Sequence, residues 1–154
     1  MSDETTLNTK ALDNMIKAMK GKVPTIKVGI LGSHDVRDDG QTNASIGTEH
    51  EFGTEGLPKR SFLRMPLSEK LNTTLEKDGL FDKKALNDVI KEKTVIPWLK
   101  KIAVSAEAIV QEAFETGGFG KWPPWRNPNY KNGNMRILDD TGQLRAAITS
   151  EIQE

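Results

Sequence analysis

The chain has 154 residues, enough for one domain with its own core and short for two. Its 22 basic and 22 acidic residues give a formal net charge of zero, which argues against a dedicated nucleic-acid binder and suits a protein that assembles with copies of itself. It has no cysteine, which excludes disulfides and thiolate chemistry, and its acidic start and lack of a long apolar run predict an intracellular protein with no signal peptide or membrane span.

The first part of the chain predicts a helix, a strand and a loop. An N-terminal helix is expected within residues 1–21, because apolar residues recur at helical spacing over 6–20. Alternating β-branched residues over 25–31 predict a strand. The polar segment 33–42 contains an Asp-Asp-Gly turn signal, and we expect a mobile loop there.

Two helices are predicted next. Asn43 is a candidate N-cap for a short helix over 44–52 that ends at Gly53. A second helix is predicted from about Ser61 to Lys77. Because a proline lies inside its apolar pattern, this helix either starts near Met65 or is kinked.

The C-terminal half predicts the longest helix and a second strand. Asp82 is expected to cap a helix over 83–93, and Pro97 to lie in the first turn of a long helix that the glycine pair 117–118 terminates. Residues 117–135 predict a long irregular loop, rich in Gly, Pro and aromatic residues. A short helix over 141–147 and a strand over 148–152 follow. These elements predict a single α+β domain over 1–154, with a small antiparallel sheet packed by one long helix and several shorter helices.

Three short patterns resemble catalytic motifs but have simpler explanations. Asp140-Thr141-Gly142 is the triplet of aspartic proteases, yet it also suits a turn that starts a helix. His50-Glu51 begins a zincin motif, but position 54 is Thr, so the second histidine is missing and we expect no metal site. The glycines of 117–121 precede a lysine, yet they follow a helix and favour a C-cap over a phosphate loop. No catalytic residue and no cofactor is predicted.

A basic segment and an aromatic segment each allow two interpretations. Lys59, Arg60 and Arg64 could form a nucleic-acid patch, but pairing with Glu49, Glu51 or Glu55, or an interface role, is favoured. The aromatic residues of the later loop are Trp122, Trp125 and Tyr130. They could stack on bases or anchor the loop on the domain or on a neighbouring protein.

Several segments in a fixed order carry a family resemblance. They are Val28-Gly29-Ile30, then Glu51-Phe52-Gly53-Thr54 with Leu57-Pro58-Lys59-Arg60-Ser61-Phe62-Leu63-Arg64, then Trp122-Pro123-Pro124, and finally Leu138-Asp139-Asp140-Thr141-Gly142-Gln143-Leu144-Arg145-Ala146-Ala147-Ile148. Together they resemble the neck and tail-completion proteins of tailed bacteriophages, also described as head–tail joining or virion morphogenesis proteins. The resemblance covers about residues 25–152. Ser61 and Ala147 replace a usual Pro and Ser, and Pro124-Trp125 alters the second loop.

The resemblance implies a non-enzymatic structural protein of the virion neck or tail, assembled in the host cytoplasm. It implies a ring, sixfold or alternatively twelvefold, whose heterologous contacts join one patch of each copy to a different patch of the next. The implied partners are further copies of the chain, head-connector or head-closure proteins, and tail-terminator or tail-tube proteins, with non-specific DNA contact in the channel and no membrane. The alternatives are a prophage-derived module that binds protein or nucleic acid and, third, an aspartic-type hydrolase.

The candidate interface and structural residues come from these segments. They are Glu51, Phe52, Gly53, Pro58, Arg60, Phe62, Arg64, Trp122, Trp125, Asp140, Thr141, Gly142 and Arg145. We expect Phe52 and Phe62 to be buried, and we expect Arg60 and Arg64 to face acidic groups, either within the protomer or across the subunit boundary. Asp140 is expected to brace a turn rather than to act in catalysis.

Overall fold

A computed structural model describes residues 24–32, 36–124, 137–138 and 142–154, together with Asp13. The elements in chain order are β1 (Thr25–Ile30), α1 (Asn43–Phe52), α2 (Arg64–Lys77), α3 (Lys83–Glu92), α4 (Ile96–Thr116), α5 (Gln143–Ala146) and β2 (Ile148–Gln153). The described residues form an α+β fold with a small antiparallel sheet and one long helix, as the sequence predicts.

The sheet joins the two ends of the described chain. β1 pairs with β2 in antiparallel register, with Ile30 opposite Ile148 and Ile26 opposite Ile152. Ile26, Ile148 and Ile152 are each more buried than the residues on either side of them, so one face of the sheet carries the apolar side chains. Because the sheet packs on α4, a pairing between residues far apart in sequence also fixes the position of the long helix.

The core lies along the C-terminal half of α4. Val110, Ala113 and Phe114 are fully buried there. The ring of Phe114 lies 5.4 Å from that of Phe62 and meets the edge of Trp122 at 5.7 Å, measured between ring centroids. The buried cluster consists of Phe62, Val110, Ala113, Phe114, Trp122, Leu138, Leu144 and Ile148, with Ile30 packed against it. Each segment that carries the family resemblance therefore contributes at least one apolar residue to one core.

The helix ends mostly follow the sequence predictions. The Asp82 carboxylate accepts a hydrogen bond from the backbone N–H of Ala85 at 2.8 Å and caps α3. Pro97 lies in the first turn of α4, and Gly117 ends that helix in the left-handed conformation, with φ of 62°. Pro66 lies in the first turn of α2, where its missing N–H breaks no helical hydrogen bond. The helix therefore begins at Arg64 rather than Ser61, and of the two alternatives the start near Met65 is confirmed.

The cap predicted for α1 is wrong by one residue. Thr42, not Asn43, is the N-cap, and its hydroxyl accepts from the backbone N–H of Ser45 at 3.0 Å. Asn43 is the first helical residue and is buried; its side-chain oxygen accepts from Nε of Arg37 at 2.8 Å. The amide therefore anchors the preceding segment on the helix instead of capping the helix itself.

The predicted turn before α1 is confirmed, and Gly40 takes a φ of 82° within it. Val36 and Thr42 form an isolated antiparallel bridge on either side of this turn. The mobility of the loop stays a prediction. Trp125, Tyr130, Asp140, Thr141 and, apart from Asp13, the predicted N-terminal helix lie outside the described residues. No helix built by the described part of the chain is long and apolar enough to cross a membrane.

Candidate functional site

The buried carboxylate of Glu51 organises the segment that connects α1 to α2. Glu51 is the penultimate residue of α1 and is 5% exposed. Its Oε2 accepts from the backbone N–H groups of Phe62 and Leu63, each at 3.0 Å. Its Oε1 accepts from the Ser61 hydroxyl at 2.7 Å and from the backbone N–H and Nε of Arg64, both at 3.2 Å. This one carboxylate therefore holds residues 61–64, which lead into α2, against the end of α1.

This arrangement supplies the N-terminal cap that α2 lacks in its own sequence. Leu63 occupies the N-cap position and offers no side-chain hydrogen bond. The first turn of a helix leaves backbone N–H groups without intrahelical partners and carries a partial positive charge. Glu51 satisfies these donors from another helix, and the Ser61 hydroxyl accepts from the N–H of Met65 at 3.0 Å. The favoured pairing of the basic segment with Glu51 is confirmed for Arg64.

Between these helices the chain makes a tight reversal. Thr54 and Leu57 exchange backbone hydrogen bonds of 2.9 and 3.1 Å. Gly53 precedes them with φ of 78°, and a Cβ there would lie 3.0 Å from the backbone nitrogen of Lys59. A side chain at this position would be strained in conformation and crowded by backbone, so the reversal requires glycine.

Arg60 and Trp122 tie this connection to the loop that follows α4. The guanidinium of Arg60 donates to the carbonyl oxygens of Pro123 and Pro124 at 2.9 and 2.8 Å. The Trp122 indole donates to the carbonyl of Ser61 at 3.0 Å. Arg60 is 2% exposed. These bonds go to backbone carbonyls, and its burial makes Arg60 a brace between two loops rather than a surface cation. That Arg60 also faces acidic groups stays a prediction.

Phe52 is not buried, contrary to expectation. It is the last residue of α1 and 57% exposed, while Phe62 is 2% exposed as predicted. Neighbouring residues of a helix point in different directions, so the Phe52 side chain points toward solvent because that of Glu51, one position earlier, points toward the protein interior. The Arg64 guanidinium carbon lies 4.6 Å from the centroid of the Phe52 ring and shields one face of it. The two aromatics of this segment therefore have different roles.

His50 lies beside this junction in an electropositive, partly buried setting. Burial, and then the nearby Arg60 and Arg37, lower the pKa of His50 from 6.5 to about 4. Its Nδ1 is buried, with no hydrogen-bond partner among the described residues, while its backbone carbonyl accepts from the N–H of Arg60 at 2.7 Å. The neutral imidazole is thus the stable form at neutral pH, as a packed side chain requires.

The C-terminal segment is held against α4. Gly142 is left-handed, with φ of 72°, and starts the short helix α5. Nε of Arg145 donates to the Gln111 amide oxygen at 2.6 Å, and a terminal nitrogen of its guanidinium pairs with Glu115. Gln111 returns a bond to the Arg145 carbonyl at 3.2 Å. Arg145 therefore fastens α5 to the long helix and Leu144 enters the core.

A shallow basic groove opens next to the junction. Its volume is about 440 Å³, and its lining includes Lys59, Arg64, Met65, Ser68, Lys121 and Trp122. Lys121 forms an ion pair with Glu69. We refer to this feature as the basic groove.

No family model matches the chain, and neither a curated protein nor a solved structure matches it. Both oxygens of Glu51 are occupied by hydrogen-bond donors, which suits a structural brace and leaves no lone pair directed at a substrate. The described residues contain no group of His, Cys, Asp and Glu side chains that could hold a metal ion.

Sequence reasoning identified the right segment but not the roles within it. It placed Glu51, Arg60 and Trp122 among the site residues, and the structure brings these three together. It missed Ser61 and the capping role of Glu51. A usable signal was present: α2 starts at a position with no Ser, Thr, Asp or Asn at its N-cap, so its N–H groups needed an acceptor from elsewhere.

Proposed function

We propose that this protein is a structural component of the neck or tail-completion complex of a tailed bacteriophage. It forms a ring that joins the head connector to the tail. The observation that carries the proposal is the convergence of the motif segments. Phe62, Trp122 and Leu144 come from three of these segments and meet in one core. The residues that carry the resemblance are therefore close together in the fold as well as ordered along the chain.

The polar groups of the junction support a rigid structural role. Glu51 uses both oxygens to cap α2, and Arg60 uses its guanidinium to bind two loop carbonyls. Both residues belong to the segments that carry the resemblance, and both hold parts of one chain in place. A ring subunit needs such rigidity because an angular error at each contact accumulates around the ring, and closure depends on the sum.

The proposal is tested by electron microscopy and mass measurement on the purified chain, and by locating the chain in virions. We expect a closed ring with a central channel, whose mass is a multiple of the protomer mass of 17.1 kDa. Antibody labelling should place the chain between head and tail. A protein that stays monomeric and is missing from purified particles would refute the proposal. Protease activity lost on Asp140→Asn substitution would instead support the hydrolase alternative.

A further inference from the structure

The basic groove carries a cation whose position is already fixed. Nε of Arg64 donates to Glu51 at 3.2 Å, and the guanidinium lies over the Phe52 ring. The side chain is nevertheless 59% exposed, and its two terminal nitrogens donate no hydrogen bond to any described residue. A guanidinium held in this way loses little conformational entropy when it binds a planar anion such as a carboxylate.

Lys59 adds a second cation to the same groove. Its side chain is exposed and makes no ion pair within the described part of the chain. The three cations of the groove, Lys59, Arg64 and Lys121, are accompanied by the carboxylates of Glu51 and Glu69. The remaining positive charge suits a single carboxylate. It is too small for a DNA duplex, whose binding normally requires several phosphates to be neutralised, and the chain as a whole has a formal charge of zero.

A complementary surface lies on the outer side of α4. Val104, Ala108 and Glu112 are exposed and follow one another at four-residue spacing, so they form a single stripe. Val104 is 66% exposed, the highest value among the exposed large hydrophobic residues described. The Glu112 carboxylate makes no hydrogen bond or ion pair with any described residue. The stripe therefore offers one unpaired carboxylate beside an apolar patch.

We propose that the basic groove receives the Glu112 carboxylate from α4 of a second copy of this chain. Lys59 and Arg64 contact the carboxylate, while Val104 packs at the rim of the groove. The groove and the stripe are different surfaces, so the contact is heterologous and can repeat around a ring. This inference rests on the proposed function, because it names the contact through which that ring would close.

Charge reversal tests the contact on the full-length chain. Analytical ultracentrifugation over a concentration series measures the association constant of the wild type, of Lys59→Glu, of Glu112→Lys and of the double variant. We expect each single variant to lower the association constant roughly tenfold or more, since like charges then face each other, and the double variant to recover most of the loss. Lys91→Glu is the matched control, because Lys91 is an exposed cation in the last turn of α3 and belongs to neither the groove nor the stripe. Thermal unfolding of every variant checks that the fold is retained.

The following results would contradict the proposed contact between the groove and Glu112. An association constant that is unchanged in both single variants, or not restored in the double variant, overturns the inference. If electron microscopy still shows a ring, the proposed function is retained. A wild-type chain that stays monomeric at about 1 mM also overturns the inference, and virion labelling then decides the proposed function separately. Fluorescence anisotropy with a short DNA duplex tests whether the groove binds nucleic acid instead. Binding that Lys59→Glu abolishes and Glu112→Lys does not restore would assign the groove to nucleic acid.

Discussion

Replacing Glu51 by Gln should destabilise the fold, although the two side chains have nearly the same shape. The glutamine amide keeps one acceptor oxygen and turns the other position into a donor. If the amide nitrogen takes the place of Oε2, it faces the N–H groups of Phe62 and Leu63. If it takes the place of Oε1, it faces the N–H and Nε of Arg64, and only the Ser61 hydroxyl can turn to accept from it. Each orientation leaves two N–H donors opposite another donor.

The cost follows from the number of donors that lose their acceptor. A buried donor left without an acceptor costs about 1–3 kcal/mol, so two such donors cost roughly 2–6 kcal/mol. Loss of the negative charge beside the start of α2 adds about 0.3–1 kcal/mol. For a domain of this size each kcal/mol lowers Tm by about 2–4 °C, so we expect a decrease of roughly 5–28 °C.

Urea and thermal unfolding followed by circular dichroism measure both quantities. Glu49→Gln is the matched control: Glu49 lies two residues earlier on α1 and is exposed. This control should change the free energy of unfolding by less than about 0.5 kcal/mol. A Glu51→Gln variant with wild-type stability would refute the reasoning that this carboxylate holds the α1–α2 connection together.

Three further predictions concern the same region. Phe62→Ala should lower the free energy of unfolding by about 3–5 kcal/mol, because it leaves a cavity in the core beside α4. Phe52→Ala should lower it by only about 0.5–1 kcal/mol, because that ring is exposed. Equal losses in urea unfolding would contradict the assignment of one ring to the core and the other to the surface. Arg60→Ala should lower the free energy of unfolding by about 2–4 kcal/mol and increase amide hydrogen exchange in residues 117–124, because the carbonyls of Pro123 and Pro124 lose their donor. Unchanged exchange in that loop would show that Arg60 does not hold it in place. The pKa of His50 is lowered to about 4 in the folded chain, from 6.5, so the unfolded chain binds the proton first as the pH falls. The free energy of unfolding therefore has its full contribution from neutral His50 above pH 6.5, and this contribution is lost as the pH falls from 6.5 toward 4. Urea unfolding at pH 7 and pH 5 should show this decrease, His50→Gln should reduce it, and His34→Gln, the control, should leave most of it in place.

Local sequence signals predicted most helix and strand positions in this chain. Asp82, Pro97 and Gly117 mark helix ends through their own conformational or hydrogen-bonding preferences, and the structure places a helix start or end at each. Alternation over 25–31 predicted β1 for the same reason, because strand periodicity is a property of consecutive residues. These features require no knowledge of what packs against them.

The tertiary structure decided what the individual side chains do. Phe52 and Phe62 are equivalent by composition, and only the inward direction of Glu51 places one outside and the other in the core. Arg60 and Arg64 are likewise equivalent as cations, yet one reaches the carbonyls of a loop more than sixty residues away and the other an acid thirteen residues away. Caps, strands and turns depend on neighbours in sequence. Burial and long-range hydrogen bonds depend on which segments meet when the chain closes on itself, and that is set by the packing of the whole domain.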